Sequence, residues 1–315
     1  MSGTTESWRP EREVQLVAGT PPGGGQDRPA RALIEVLGAQ KLLDQTVTLI
    51  NIPGRGGGNA WDYLTQHQGD PHVLAINSPT IISNLLLGVS KLSYKDLTPL
   101  ANLYTEYPAF IVRADATLAS GEDLLRRLKQ NTAGVRIALA TAIGNTNHIA
   151  LAQVTEHAGG DVRGLVIDVF DSAPDAIAHV IAGKAELGVI TAVSAVPELT
   201  AGALRALAVS APTRLNGLFA AVPTWAEGGV ACRIGMWRGV IAPPAIPAAA
   251  IAFWDRTLAA ATKTEAWHQV LAQKFWADTY LAGDAERAFL DREHDLMAGM
   301  LGELGLLPQQ ESHKT

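Results

Sequence analysis

Short apolar runs alternate with stretches in which apolar residues return every third or fourth position, and this change of period recurs along most of the chain. Val14 to Ala18 is the first run and reads as a buried strand. Ala30, Leu33, Ile34 and Leu37, behind Pro29, predict the helix that follows. Val47 to Ile52 and Val73 to Ile76 predict two more strands, with a helix carrying Trp61 and Leu64 between them. Further strands are expected at Phe110 to Val112, Val135 to Ala140, Val162 to Val169, Leu187 to Ile190, Leu204 to Val209 and Gly239 to Ala242. Ser120-Gly121-Glu122-Asp123 and Ser172-Ala173-Pro174-Asp175 have the form of capping boxes and mark helix starts. Beyond Pro243-Pro244 the chain reads as helical, with Pro247, Thr264 and Asp284 opening three successive helices. Alternation of this kind predicts an α/β protein of mostly parallel sheets covered by helices.

The turns from strand to helix share one composition. The first is Thr20-Pro21-Pro22-Gly23-Gly24-Gly25-Gln26-Asp27, with Asp27 expected to cap the first helix. The second is Pro53-Gly54-Arg55-Gly56-Gly57-Gly58-Asn59, with Asn59 as the cap. Asn77-Ser78-Pro79-Thr80 and the stretch from Thr141 to Thr146, Asn147 and His148 are two more. Three consecutive glycines after two prolines exceed what an ordinary turn needs. Glycine lets backbone approach a ligand, and the loop and first-turn N–H groups point outward. The helix dipole adds positive character there, worth roughly 0.3–1 kcal/mol when exposed. If two such sheets face each other, the loops converge on one cleft rich in N–H donors and poor in catalytic groups.

Composition narrows the choices. The chain has 315 residues with 47% hydrophobic and 18% charged, enough for two domains with a large core. A net charge of −6 gives no reason to expect nucleic acid as a partner. The single cysteine, Cys232, excludes an internal disulfide and a cysteine metal site, and no metal or cofactor is expected. The longest apolar stretch, Ile234 to Trp254, is broken by Arg238 and three prolines and does not read as a membrane helix. Met1 to Arg12 lacks the apolar core of a signal peptide, so either a signal was removed or the protein stays in the cytoplasm. Gly54-x-Gly56 begins like a dinucleotide loop, but Asn59 stands where the last glycine belongs, and no P-loop is present. There is no Gly-x-Ser-x-Gly elbow and no His-Glu-x-x-His. Asp168, Asp171 and Asp175 cluster around one helix start and read as caps and surface. His148 and His157 fall on opposite helix faces and cannot share a metal.

Pro-Pro-Gly-Gly-Gly-x-Asp at 21–27 and Asn-x-Pro-Gly-x-Gly-Gly-x-Asn at 51–59 resemble motifs of the substrate-binding proteins of tripartite tricarboxylate transporters, the Bug receptors. The likeness continues through Gly144 to His148, Ser172-Ala173-Pro174, Ala182-Gly183-Lys184, the stretch Ala201 to Val209, Val222 to Gly229 and Trp237 to Pro247. The resemblance implies a two-lobed, type II periplasmic-binding-protein-like fold with a ligand cleft between the lobes. One lobe would comprise residues 8–105 plus 226–315 and the other residues 106–225. It also implies a receptor that holds a small carboxylate without chemistry and presents it to membrane transporter subunits, as a periplasmic monomer. Contacts are expected at Gly24, Gly25 and Asp27, Gly57 and Asn59, Ser78 and Thr80, Thr146 to His148, and Ser172 and Ala173. The chain departs from the family pattern at Thr20, where an aromatic residue is usual, at Asp171, where Tyr-Lys often precedes, and at Thr191, where an aspartate is common.

Two other readings share this sequence. One is a cytoplasmic sensing protein on the same fold. The other is an enzyme that has recruited the cleft, with Asp171 and His148 as acid and base. Asp171 itself has three expected settings: open solvent, a pair with Arg55 or Arg238, or a donor group on the ligand.

Overall fold

The computed structural model describes residues 8–140 and 142–308. Thr141, the polar start before residue 8 and the tail expected to be solvated beyond Pro308 lie outside them. The first βα units place β1 (Val14–Ala18), α1 (Asp27–Ala39), β2 (Val47–Asn51), α2 (Gly58–Thr65), β3 (Val73–Asn77) and α3 (Thr80–Leu86) in succession. The chain continues through β4 (Thr98–Glu106), crosses at Tyr107, and enters β5 (Pro108–Arg113). Then follow α4 (Gly121–Gln130), β6 (Arg136–Ala140), α5 (Thr146–His157), β7 (Val166–Phe170), α6 (Ala173–Ile181), β8 (Leu187–Thr191), α7 (Ala192–Thr200) and β9 (Leu204–Val209). It ends with β10 (Met236–Ala242), α8 (Ala248–Thr262), α9 (Glu265–Lys274), β11 (Ala277–Ala282) and α10 (Gly283–Glu303).

Two sheets result. One has the order β11-β4-β10-β3-β1-β2 and the other β7-β6-β8-β5-β9. Both are mixed. The expected parallel pairing joins β1 to β2 and β3, and β6 to β7 and β8. The remaining pairs run antiparallel, since β10, β4 and β11 extend the first sheet and β5 and β9 the second. Strands β4 and β11 were not expected. Residues 98–106 carry Thr98, Asn102, Thr105 and Glu106 among their apolar residues, which hides the period, and β11 lies in a stretch that reads as helical. Its one-sided register with β4, broken between Asp278 and Leu281, marks it as an edge strand specified by pairing more than by its own sequence.

The core follows from the sheet faces. Leu16, Leu33, Leu74, Tyr104, Trp254 and Trp267 pack together on one face of the first sheet. Trp61, Phe110, Ile149 and Leu301 belong to a second cluster that draws residues from both sheets. Helix α10 packs against β4 and β11 and also against α5, so it touches both halves of the molecule. No helix among the described residues is long and apolar enough to cross a membrane.

Candidate functional site

The glycine loop after β1 is wired to itself. Thr20 Oγ1 accepts from the N–H groups of Gln26 and Asp27, both at 3.2 Å. Gly23 N–H donates to Asp27 Oδ2 at 2.8 Å and Gly24 N–H to the Pro21 carbonyl at 2.9 Å. Of the three glycine N–H groups, only that of Gly25 has no partner among the described residues. Gln26, not Asp27, occupies the N-cap, and Asp27 is the first helical residue. Its carboxylate is fully buried and accepts from Arg31, Asn51 and Gly23. Burial pushes this carboxyl up, but those three donors outweigh it and hold it below the usual range.

Close packing explains the neighbouring glycines. A Cβ on Gly24 would lie 2.6 Å from Thr20, and one on Gly25 would lie 3.0 Å from Arg238 Nη2. Gly57 has φ of 105°, and a Cβ there would meet Gln26 Nε2 at 2.5 Å. A side chain at Gly57 therefore collides with the protein before any ligand is considered.

Hydroxyls near the next turn are also occupied. Thr80 Oγ1 donates to the Gly56 carbonyl at 2.6 Å, so Ser78 must donate to Thr80 across their 2.8 Å contact. Ser78 in turn accepts from Gln26 Nε2 at 3.2 Å, and Gln26 Oε1 accepts from Gly19 N–H at 2.8 Å. Both hydroxyl protons thus point into the protein, and Ser78 and Thr80 offer lone pairs to the cleft.

Between the two sheets lies a cleft of about 630 Å³. Its first wall presents Thr20, Gly23, Gly24, Gly25, Gln26, Arg28, Gly56, Ser78, Pro79, Thr80 and Ser83, with Glu106, Met236, Arg238 and Met297 behind them. Its second wall presents Ala140, Asn145, Thr146, Asn147, Ser172, Ala173, Pro174, Thr191, Val193, Ser194 and Pro197. Helices α5, α6 and α7 start on this second wall, and first-turn N–H groups have no acceptor within their own helix. Asn145 Oδ1 accepts from His148 N–H, and Ser172 Oγ accepts from Asp175 N–H. Asn147 is 3% exposed, and its buried side-chain oxygen, an acceptor, has no hydrogen-bond partner among the described residues.

Of the expected contacts, Thr20, Gly24, Gly25, Ser78, Thr80, Thr146, Asn147, Ser172, Ala173 and Thr191 line this cleft. Asp27 and Gly57 lie behind its first wall. Arg55 is outside, pairing with Asp62 and donating to Asn59 Oδ1 at 2.8 Å. Asn59 stands in the first turn of α2, capped by Gly57, and ties back to the Pro53 carbonyl. His148 is buried, accepts from Gly144 N–H at 2.9 Å, and is held neutral because burial lowers its pKa to about 4. It faces a separate hollow with Ile143, Arg163 and Leu304. Asp171 is exposed and outside the lining, and its expected partners are engaged elsewhere. Arg238 pairs with Glu106 at 3.1 Å, with the two residues 5% and 4% exposed. Asp171 and His148 therefore do not meet as an acid and base.

Gln26, Arg28, Glu106, Arg238 and the two methionines line the cleft without having been expected there. Only the Arg238 cation had a sequence signal, a charge inside the apolar run before Pro243. Its Nε also donates to the Gly25 carbonyl at 3.0 Å, bracing the glycine loop from β10. No group of His, Cys, Asp and Glu among the described residues is arranged to hold a metal ion.

Two α/β sheets facing each other across a cleft ringed by helix starts define a two-lobed solute-binding protein. The chain belongs to the tripartite tricarboxylate transporter family receptors, whose profile matches residues 30–292. It is 26% identical over 303 residues to protein BugT of Bordetella pertussis, covering 94% of this chain and 90% of that one. A TctC solute-binding protein from Polaromonas, solved without ligand, superposes with a TM-score of 0.78 at 26% identity, covering 94% of this chain and 99% of that one. A Rhodopseudomonas palustris protein solved with adipate gives a TM-score of 0.81 at 22% identity, over 95% of this chain and 99% of that one.

Proposed function

We propose that this receptor captures a small carboxylate in the cleft, closes on it, and presents it in the periplasm to the membrane subunits of a transporter, without chemical change. The observation that carries the reading is the cleft's surplus of donors and positive charge. Glu106 and Arg238 neutralise each other, helix starts with first-turn N–H groups line the second wall, and the Arg28 guanidinium is unpaired among the described residues. Such a site favours an anion over a neutral or cationic solute. The adipate carried by the R. palustris neighbour supports a carboxylate of a few carbons, which a cleft of about 630 Å³ accommodates.

The two lobes divide at residues 105/106 and 225/226 on this reading. Support comes from the chain passing between sheets at Tyr107 and again between β9 and β10. Calorimetry against straight-chain mono- and dicarboxylates, with mass spectrometry of whatever co-purifies, tests the function. One-to-one binding of a carboxylate is expected. A protein that binds none of the panel, or that converts one of them, would overturn the reading.

A further inference from the structure

Three charged residues line the cleft, and two of them cancel. Arg238 is buried against Glu106 and donates its other N–H groups to the Gly25 and Trp237 carbonyls. The third, Arg28, is exposed to the cleft, and its guanidinium makes no hydrogen bond or ion pair with any described residue. Its place is costly. It sits in the first turn of α1, where the helix dipole disfavours a cation, and follows Asp27, whose carboxylate is already taken by Arg31, Asn51 and Gly23. Its charge also reaches the buried Tyr104 phenol, which offers no compensating anion. A local rule broken without a compensating contact inside the protein points to a partner outside it.

We propose that Arg28 is the specificity-determining residue of this cleft: it pairs with a second anionic group on the solute and so selects dianions over monoanions. The inference rests on the carboxylate reading above. First-turn N–H groups on the second wall hold one carboxylate, Met236 and Met297 give the carbon chain an apolar surface, and the guanidinium takes the other end. A guanidinium suits that end because its planar fork meets a carboxylate with two parallel hydrogen bonds.

The test is calorimetry of wild type, Arg28→Gln and Arg28→Lys with glutarate, adipate and the monomethyl ester of each. Wild type is expected to prefer the diacid to its half-ester by tenfold or more. Arg28→Gln should lose most of that preference, binding the diacid 10- to 100-fold more weakly and the half-ester within about threefold of wild type. Arg28→Lys should fall between, keeping charge but losing the fork. Because Arg28 is exposed and unpaired, unchanged melting temperatures are expected for both variants. Equal loss for diacid and half-ester would overturn the proposal, since it would mean that Arg28 pairs across the closing cleft with Asp171 or Asp175. Unchanged binding of both would overturn it as well. Failure of wild type to bind any of the four probes would instead remove the carboxylate reading, and this inference with it.

Discussion

Asp27 and Ser172 both stand at the start of a helix, one on each wall of the cleft, and they are tied down in different ways. Asp27 joins its helix to β2 through Asn51, 24 residues away, and the adjacent Gln26 reaches Ser78, 52 residues away. Ser172 holds Asp175, three residues on, and nothing more distant. The first wall is thus cross-linked between β1, β2 and β3, and it spends most of its own donors on that cross-linking. The second wall is assembled from local caps, and the starts of α5, α6 and α7 stand at the cleft. A rigid platform facing an adaptable, donor-rich wall suits a receptor that must recognise an anion and then close.

The largest expected effect strikes the brace of the first wall. Arg238→Leu leaves the Glu106 carboxylate buried without its cation and frees the Gly25 carbonyl. A loss of about 3–5 kcal/mol is expected in denaturant unfolding, the usual cost of breaking one side of a buried pair. A loss below about 1 kcal/mol would mean that the first wall does not depend on its cross-links.

Helix α10 reaches the cleft through Met297, and two of its carboxyls, the buried Glu286 and the half-buried Glu293, give the next effect. Burial raises Glu286 to about 8 and Glu293 to about 7, from an ordinary 4.5. Both folded values lie above the unfolded one, so the folded state keeps protons that the unfolded chain has lost. Stability is therefore full below about pH 4.5 and falls as pH rises through 7 and 8. Between pH 5 and pH 8.5 a loss of roughly 2–4 kcal/mol is expected, allowing for relaxation around the charged forms. The double variant Glu286→Gln, Glu293→Gln should flatten this slope in melts across the same range. An equally steep slope in that variant would assign the titration to other groups.

These two effects also mark how far the sequence was legible. The βα turns at Thr20 to Asp27 and Ser172 to Asp175 could be located because proline, glycine and cap residues act on their immediate neighbours. The Arg238–Glu106 pair could not, because its members are 132 residues apart and meet only when β10 inserts beside β4. Strand β11 was hidden for the same reason, since its partner is β4 and its own residues are mixed. The glycines were located correctly as special positions, but their cause was not legible: Gly24 and Gly25 make room for Thr20 and Arg238. Arg28 was passed over because an exposed arginine has no local signature, and only the exhaustion of every nearby anion makes it stand out.

Asp27→Ala probes the cross-linking directly. It removes the acceptor of the exposed Gly23 N–H and of one N–H of the half-buried Asn51 amide, which keeps its bond to the Thr20 carbonyl, while Arg31 remains in solvent. A loss of about 1–2 kcal/mol is expected, chiefly from the half-buried Asn51 donor, since water can replace the acceptor at Gly23. Because the pair with Arg31 is mostly solvated on the arginine side, it adds little. Hydrogen exchange should speed up in β2 and in the loop after β1 together.

Ser172→Ala is the matching change on the other wall, and the smallest effect. The hydroxyl accepts from Asp175 N–H at 3.3 Å and donates to Asp175 Oδ2 at 2.6 Å. Losing one N-cap costs about 1 kcal/mol. The freed Asp175 N–H lies in an exposed turn, so water replaces the lost acceptor and the disturbance stops there. Faster exchange is therefore expected in the first turn of α6 alone, with β7 and β8 unchanged. If exchange quickened through β7 and β8 as well, the second wall would be as cross-linked as the first. Closure would then have to come from a rigid rotation of the whole wall, not from adjustment of its helix starts.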